Sequence, residues 1–304
     1  MGTLVTVVTP TYNRARELPR LYDSLFMQTC KDFEWLIIDD GSSDETMSVV
    51  QRWTNVSSPK GEEGRGLFPI RYLYKENGGK HTALNVAFRE VQTELLFIVD
   101  SDDVLTPDAI ATIYEDWAMV KGRKLCGISY LRGYSEKQVI GDSFPQDRCI
   151  DSFINVRYNQ GFDGDKAEVW ATKYLRDFQY PETPGERFIS ESVAWIYLAR
   201  EHDMLFRNKI LYITEYLEGG LTDEGRRLRF QCPVNMAYGS LETMSHHFSW
   251  KIRIKETLLY IVYSKFGRKK FREIVDCPYK ILATAFYIPG LLLYSFWKWK
   301  YSIH

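Results

Sequence analysis

Five short apolar runs recur through the first 130 residues, each parted from the next by a segment of helical spacing or turn residues. Leu4–Thr9, Glu34–Ile38, Ile70–Tyr74, Leu95–Val99 and Lys124–Tyr130 read as strands. Helices are expected over about 17–28, where Leu18, Leu21 and Leu25 share a face, from Ser43 or Asp44 to about Trp53, and over about 79–91. Thr106-Pro107 supplies a cap and a first-turn proline for another helix, running to about Lys121. This alternation restricts the fold to an α/β architecture, a mixed and mostly parallel sheet with helices on both faces. In such sheets ligands bind beyond the carboxyl ends of the strands, where the strand order reverses.

The polar residues fall at those ends. Leu95–Val99 stops on Asp100-Ser101-Asp102-Asp103, and carboxylates crowded at one strand end repel each other unless a hard cation joins them. The second strand ends on Asp39-Asp40-Gly41-Ser42-Ser43-Asp44, acceptors for an imide N–H or for ribose hydroxyls. After the first come Pro10-Thr11-Tyr12-Asn13-Arg14, a ring that can stack on a base and a guanidinium that can meet a diphosphate. Asn77-Gly78-Gly79-Lys80-His81 opens the third helix, where backbone amides and a lysine favour phosphate, with Asn85 one turn further on. Taken singly, each cluster also fits a turn, a helix cap or a solvated acidic loop.

Taken in order, Thr9–Arg14, Ile37–Asp44, Asn77–Asn85 and Val99–Asp103 resemble the motifs of family 2 glycosyltransferases of the GT-A fold. The likeness is close over residues 3–130 and thins beyond. It implies a nucleotide-sugar donor, commonly UDP-linked, a divalent cation (Mn²⁺ or Mg²⁺) and inversion at the anomeric carbon. It further implies that Tyr12 stacks near the base, that Asp39 or Asp40 contacts uracil, that Asp100 touches ribose, and that Asp102 binds the metal. Pro10, Arg14, Lys80, Asn85 and Ser101 belong to the same donor segments; Lys80 stands where the family often has arginine. The resemblance also implies a carboxylate base at the start of a helix behind the acceptor segment. Glu191 matches that place best, with Glu186 in reserve, although the family's Glu-Asp pair is here Ser190-Glu191.

Past residue 130 the alternation fades. Residues 149–158 read as strand-like, 167–177 and 188–201 as helices, and 210–216 as a strand. The division expected is a catalytic domain over 1–245, with a donor half 1–130 and an acceptor half 131–245, followed by a basic, aromatic, helical C-terminal region over 246–304. Residues 251–304 carry eleven lysines and arginines against three acids, whereas the whole chain has a net charge of −1. An uncharged run over 281–297, broken by Pro289-Gly290, is marginal for a membrane span. A kinked helix lying in the interface of an anionic membrane, or re-entrant in one leaflet, is the expectation rather than a clean span or nucleic-acid binding; the alternative is a C-terminal helix packed on protein. With a lipid-seeking tail, the expected acceptor is a glycan on a polyprenyl diphosphate, as in surface polysaccharide assembly.

Five scattered cysteines without a Cys-x-x-Cys pair, and an opening without a signal peptide, point to a reducing cytoplasmic location at the inner face of the cell membrane. Two other readings stay open. A sugar nucleotidyltransferase also joins an α/β sheet to metal-binding acids, but Thr9–Arg14 lacks the glycines of its phosphate loop. A non-catalytic nucleotide-sugar-binding assembly subunit is the other.

Overall fold

Four of the five apolar runs become strands whose side chains are buried on both sides of a sheet, whereas Ile70–Tyr74 is a half-buried strand at the end of the sheet order. The computed structural model describes residues 3–56, 68–214 and 228–301. The chain forms two units: Met1–Ser152 with Phe162–Gln179 and Glu201–Tyr216, and Phe153–Gly161 with Tyr180–Arg200 and Leu217–His304.

The first unit runs β1 (Val5–Thr11), α1 (Leu18–Phe26), β2 (Phe33–Asp39), α2 (Thr46–Val56), β3 (Ile70–Tyr74), α3 (Lys80–Glu90), β4 (Leu95–Ile98), β5 (Val104–Leu105) and α4 (Ala109–Val120). Then come β6 (Gly127–Ser135), β7 (Gln138–Val139), β8 (Cys149–Asp151), β9 (Lys166–Ala171) and β10 (Met204–Ile213). They make a ten-stranded mixed, mostly parallel sheet of order β3-β2-β1-β4-β9-β6-β10-β5, with β7 on β6 and β8 on β10. β1 lies parallel to both β2 and β4, with Thr11 opposite Asp39 and Val8 opposite Ile98. The chain order therefore reverses between β1 and β4, and the polar clusters after β1, β2 and β4 emerge side by side.

Strand parity assigns the two faces. Val5, Val7, Trp35, Ile37, Leu95 and Phe97 form one core with Leu18, Leu21 and Leu25 of α1 and Ile110, Ile113 and Trp117 of α4. The alternate residues Val8, Leu36, Ile38, Leu96 and Ile98 are equally buried, and α3 packs on β1 and β2. Helices thus cover both faces, as the alternation predicts.

Beyond residue 130 the local reading needs correction. The expected helix over 167–177 is instead strand β9, antiparallel to β4 and β6, followed by one short turn of helix, Thr172–Leu175. Val169 and Trp170 fill the slot between those two strands, and sheet pairing overrides the local helical signal. The strand-like reading of 149–158 holds only for β8; Asn155–Asn159 is a turn of π-helix. β10 starts six residues before the expected 210, and α2 runs to Val56, three residues past the expected Trp53; the glycine-rich, charged stretch 54–69 reads from sequence as a loop, and most of it lies outside the described residues.

The second unit is helical: Ser192–Ala199, Pro233–Thr243, Trp250–Phe266, Phe271–Val275, Lys280–Ala285 and Tyr287–Lys300. Its core gathers Ala237, Met244, Tyr260, Ile261, Ile274 and Ala283. The uncharged run is divided at Phe286, not at Pro289-Gly290. Proline has no N–H and its ring crowds the carbonyl four residues back, so the chain restarts its helix at Tyr287 and takes Pro289 into the tolerant first turn. No helix among the described residues is long and apolar enough to cross a membrane.

Candidate functional site

The loops after β1 and β2 are tied together before any ligand is present. Asn13, in the left-handed region at φ 52°, accepts the Ser43 N–H at 2.8 Å, while its own N–H donates to Ser42 Oγ at 2.8 Å. Asp44 accepts the N–H groups of Ala15 and Thr46 at 3.1 and 3.0 Å. Burial alone would raise its pKa, but these bonds and the Thr46 hydroxyl hold it below the ordinary aspartate value. Of the two caps proposed from sequence for α2, Asp44 is the one that binds a first-turn amide. Tyr12 projects from this tie with its ring 47% exposed, which leaves a face for stacking, and Pro10 is buried at the end of β1.

Asp39 and Asp40 are both buried, yet they are engaged differently. Asp39 accepts the Ser42 N–H at 2.7 Å and the Tyr72 hydroxyl. Burial, and then that carboxylate, push the Tyr72 hydroxyl far above its usual pKa, so it stays a donor. Asp40 accepts the N–H groups of Gly78 at 3.0 Å and Gly79 at 2.7 Å, and pairs with Lys75 at 2.6 Å. Its carboxylate therefore builds the Asn77–Gly79 turn. Gly79 is required by its φ of 97°, and Gly41 (φ 84°) by the approach of these loops as well, since a Cβ there would lie 2.7 Å from the Asn77 nitrogen. Asn85 is buried on α3 rather than solvated.

At the end of β4 the three acids have three different surroundings. Asp100 pairs with Lys80 and lies 3.6 Å from Arg132. Burial would raise its pKa, but Lys80 and Arg132 hold it down at about 2. Asp103 is buried, 3.7 Å from Arg132; burial, and next the Asp100 charge, raise it to about 7. Asp102 is 27% exposed, and its ion pair is with Arg14 at 3.9 Å. Ser101 is buried between them. The Tyr212 hydroxyl accepts the Asp100 N–H at 2.8 Å, and the Arg132 guanidinium stacks 3.9 Å from the Tyr212 ring centroid.

Sequence reasoning missed Lys75, Arg132, Tyr72 and Tyr212. For the first and third a signal existed: β3 is parallel to β2 with Tyr74 opposite Asp39, so residues around its end must meet the β2 carboxylates. Arg132 and Tyr212 come from β6 and β10, and nothing local marks them.

A divalent cation implied by these acids has a fitting but sparse donor set. Mg²⁺ and Mn²⁺ prefer oxygen ligands, often one or two carboxylates with substrate phosphates completing the shell. Asp102, 27% exposed and 3.9 Å from Arg14, is the carboxylate of this cluster that would serve as such a ligand. Among the described residues no cluster of three or more His, Cys, Asp or Glu forms an all-protein metal cage.

In the second unit Glu191 begins the helix Ser192–Ala199, and its carbonyl accepts the Tyr180 hydroxyl at 2.9 Å. Burial and then the Glu191 charge push the Tyr180 pKa well up. Glu186 has another task. Its two carboxylate oxygens accept the N–H groups of Val234 at 2.9 Å and Asn235 at 2.7 Å, capping the helix Pro233–Thr243.

The model of the family "Glycosyl transferase family 2" matches residues 6–143. Glycosyltransferase GlyG of Streptococcus pneumoniae is 30% identical over 231 residues, 73% of this chain and 73% of the relative. A Campylobacter jejuni GalNAc(5)-diNAcBac-PP-undecaprenol beta-1,3-glucosyltransferase is 25% identical over 304 residues, covering 95% of this chain and 91% of that protein. For three other curated relatives the matched stretch spans only 16–32% of their length. Among solved structures, Staphylococcus aureus TarS 1-349 in complex with UDP-GlcNAc superposes with a TM-score of 0.62 at 17% identity, covering 95% of this chain and 79% of that one. A Pyrobaculum calidifontis mannosyltransferase in complex with GDP-Man and Mn²⁺ gives 0.58 at 17% identity, covering 98% and 83%. These likenesses establish the GT-A fold.

Proposed function

The chain belongs to glycosyl transferase family 2, and from that premise we propose that it transfers a sugar from a UDP-sugar to an acceptor hydroxyl, with inversion at the anomeric carbon. The acceptor in this reading is a lipid-linked glycan in surface polysaccharide synthesis, handled at the inner face of the cell membrane. Its supports are the undecaprenol-linked substrate in the name of the Campylobacter relative and the UDP-GlcNAc held by TarS.

In the proposed mechanism Tyr12 stacks on the base and Asp39 accepts its imide N–H. Asp40 positions the glycine turn whose amides and Lys80 approach the diphosphate, with Arg14 beside it. Asp100 and Ser101 serve the ribose, and Asn85 supports the turn from within α3. Asp102 would hold Mn²⁺ or Mg²⁺, and that ion would supply positive charge to offset the charge of a departing diphosphate. Glu191 takes the proton of the acceptor hydroxyl. The hydroxyl oxygen forms its bond to the anomeric carbon from the face opposite UDP, and the bond to the diphosphate oxygen breaks with its electron pair leaving on UDP.

The observation that carries this reading is the sorting of acids at the end of β4, where Asp100 is held by Lys80 and Arg132 while Asp102 has the 3.9 Å pair with Arg14. Release of UDP from a panel of UDP-sugars, with and without Mn²⁺, tests it. Turnover should need the metal and fall by roughly 10²–10³-fold in Asp102→Ala. Donor binding without any turnover would instead support an assembly subunit.

A further inference from the structure

The helix Tyr287–Lys300 is apolar on two opposite sides, although only one of them is packed. On the packed side Gly290 lies so close to Ile261 that a Cβ would stand 2.7 Å from its side chain. The Tyr294 ring lies 4.8 Å from that of Phe266, and Trp297 lies 5.7 Å from Phe230 and 6.1 Å from Tyr263. The other side presents Ile288 at 63% exposure, Leu292 at 68%, Phe296 at 48% and Trp299 at 78%. Positions 288, 292, 296 and 299 recur at helical spacing, so they form one stripe along the axis. In the helix before it, Ile281 is 85% exposed.

A solvated helix face carries charge, and a core face is covered. This stripe is neither. Its charges are towards its ends: Lys298 and Lys300 flank Trp299, Lys280 precedes the stripe, and Arg268, Lys270 and Arg272 are exposed upstream. An exposed apolar stripe of this length marks an interaction surface. Fourteen residues of helix are roughly 21 Å long, short of the ~30 Å hydrocarbon core, so such a helix lies along a bilayer rather than through it. Aromatic rings and lysines together favour the headgroup layer. The basic surplus selects the occupant, since it repels a second copy of the same surface and attracts anionic lipid.

We infer that the stripe Ile288–Leu292–Phe296–Trp299 is a membrane-docking face, seated in the headgroup region of an anionic bilayer with the flanking lysines on lipid phosphates. The inference extends the lipid-linked reading of the acceptor, but vesicle binding is measured without donor or acceptor and therefore fails or succeeds separately from transfer.

The test is co-sedimentation of the full chain with phosphatidylcholine vesicles with or without phosphatidylglycerol, beside UDP release on a soluble acceptor. The full chain should bind phosphatidylglycerol vesicles, and the double variant Leu292→Asp/Trp299→Asp should bind at least about tenfold more weakly with unchanged thermal unfolding. Lys298→Gln and Lys300→Gln, which leave the apolar stripe in place, should each weaken binding roughly fivefold. Undiminished binding by the double variant would overturn the inference. So would equal binding to pure phosphatidylcholine, or sedimentation velocity showing a dimer that the double variant splits into monomers.

Discussion

Glu186→Gln separates two carboxylates that the sequence offers for one role. In the structure the Glu186 oxygens accept the N–H groups of Val234 and Asn235, and the residue before that helix, Cys232, makes no side-chain cap of its own. Glutamine keeps one acceptor oxygen but turns an NH₂ group toward the other amide. One charge-assisted bond is lost, about 1.5–3 kcal/mol, together with a carboxylate at a helix N-terminus, about 0.3–1 kcal/mol. The expected loss is about 2–4 kcal/mol, a fall of roughly 4–16 °C in Tm, with kcat per folded molecule kept well below the transition. Glu191→Gln should behave in the opposite way, with stability changed by less than about 1 kcal/mol and kcat lowered by about 10²–10⁴-fold. Thermal unfolding and UDP release on both variants provide the readout. An unshifted Tm with lost turnover in Glu186→Gln would refute the reasoning and move the base to that residue.

Asp40→Asn should cost about 2–3 kcal/mol, because it breaks the pair with the part-exposed Lys75 and opposes one glycine N–H, and it should raise the donor KM more than it lowers kcat; an unchanged urea midpoint would count against this. In metal-free buffer, Asp103 binds its proton more tightly in the folded than in the unfolded state, so stability should fall as pH rises from about 4 to about 7, and Asp103→Asn should flatten that slope. Asp147 is the reverse case: burial opposes ionisation, but the Asn208 N–H and Arg207 hold its pKa below the ordinary value, so its contribution should be full above about pH 4 and lost on further acidification, a limb that Asp147→Asn should remove. Mn²⁺ should bind at least about tenfold more tightly with UDP present, and UDP should gain the same factor from Mn²⁺; equal Mn²⁺ affinity with and without UDP, by titration calorimetry, would contradict this.

The donor half was legible in sequence because its signals are local. An apolar run that stops on carboxylates is one continuous string, and parallel alternation brings two such strings, after β2 and β4, to the same end of the sheet with Tyr12–Arg14 after β1 between them. The rest depended on partners far along the chain. Lys75 stands 35 residues from Asp40, Arg132 about thirty from Asp100 and Asp103, and Tyr212 is 112 residues from Asp100. Glu186 reads as a helix-start acid, and only the fold reveals that the amides it caps, of Val234 and Asn235, lie 48 and 49 residues later. β9 was misread for the same reason, since what makes 166–171 a strand is the vacant pairing edge between β4 and β6.

Three acids crowded at one strand end suggest from sequence that a cation must relieve their repulsion. The protein's own charges already do much of that. Lys80 and Arg132 neutralise Asp100, and the high pKa of Asp103 leaves it substantially protonated near pH 7. Arg132 is itself fixed between those acids and the Tyr212 ring, with its Nε donating to the Lys166 carbonyl at 2.8 Å. What remains is one weakly paired carboxylate, Asp102, 3.9 Å from Arg14. A single carboxylate is a poor cage for a divalent ion but an adequate anchor once diphosphate oxygens complete the shell. If Asp102 holds the cation as proposed, the cluster would bind cation and nucleotide together rather than store a metal between turnovers, and Arg132, by engaging Asp100, would keep that carboxylate from the ion.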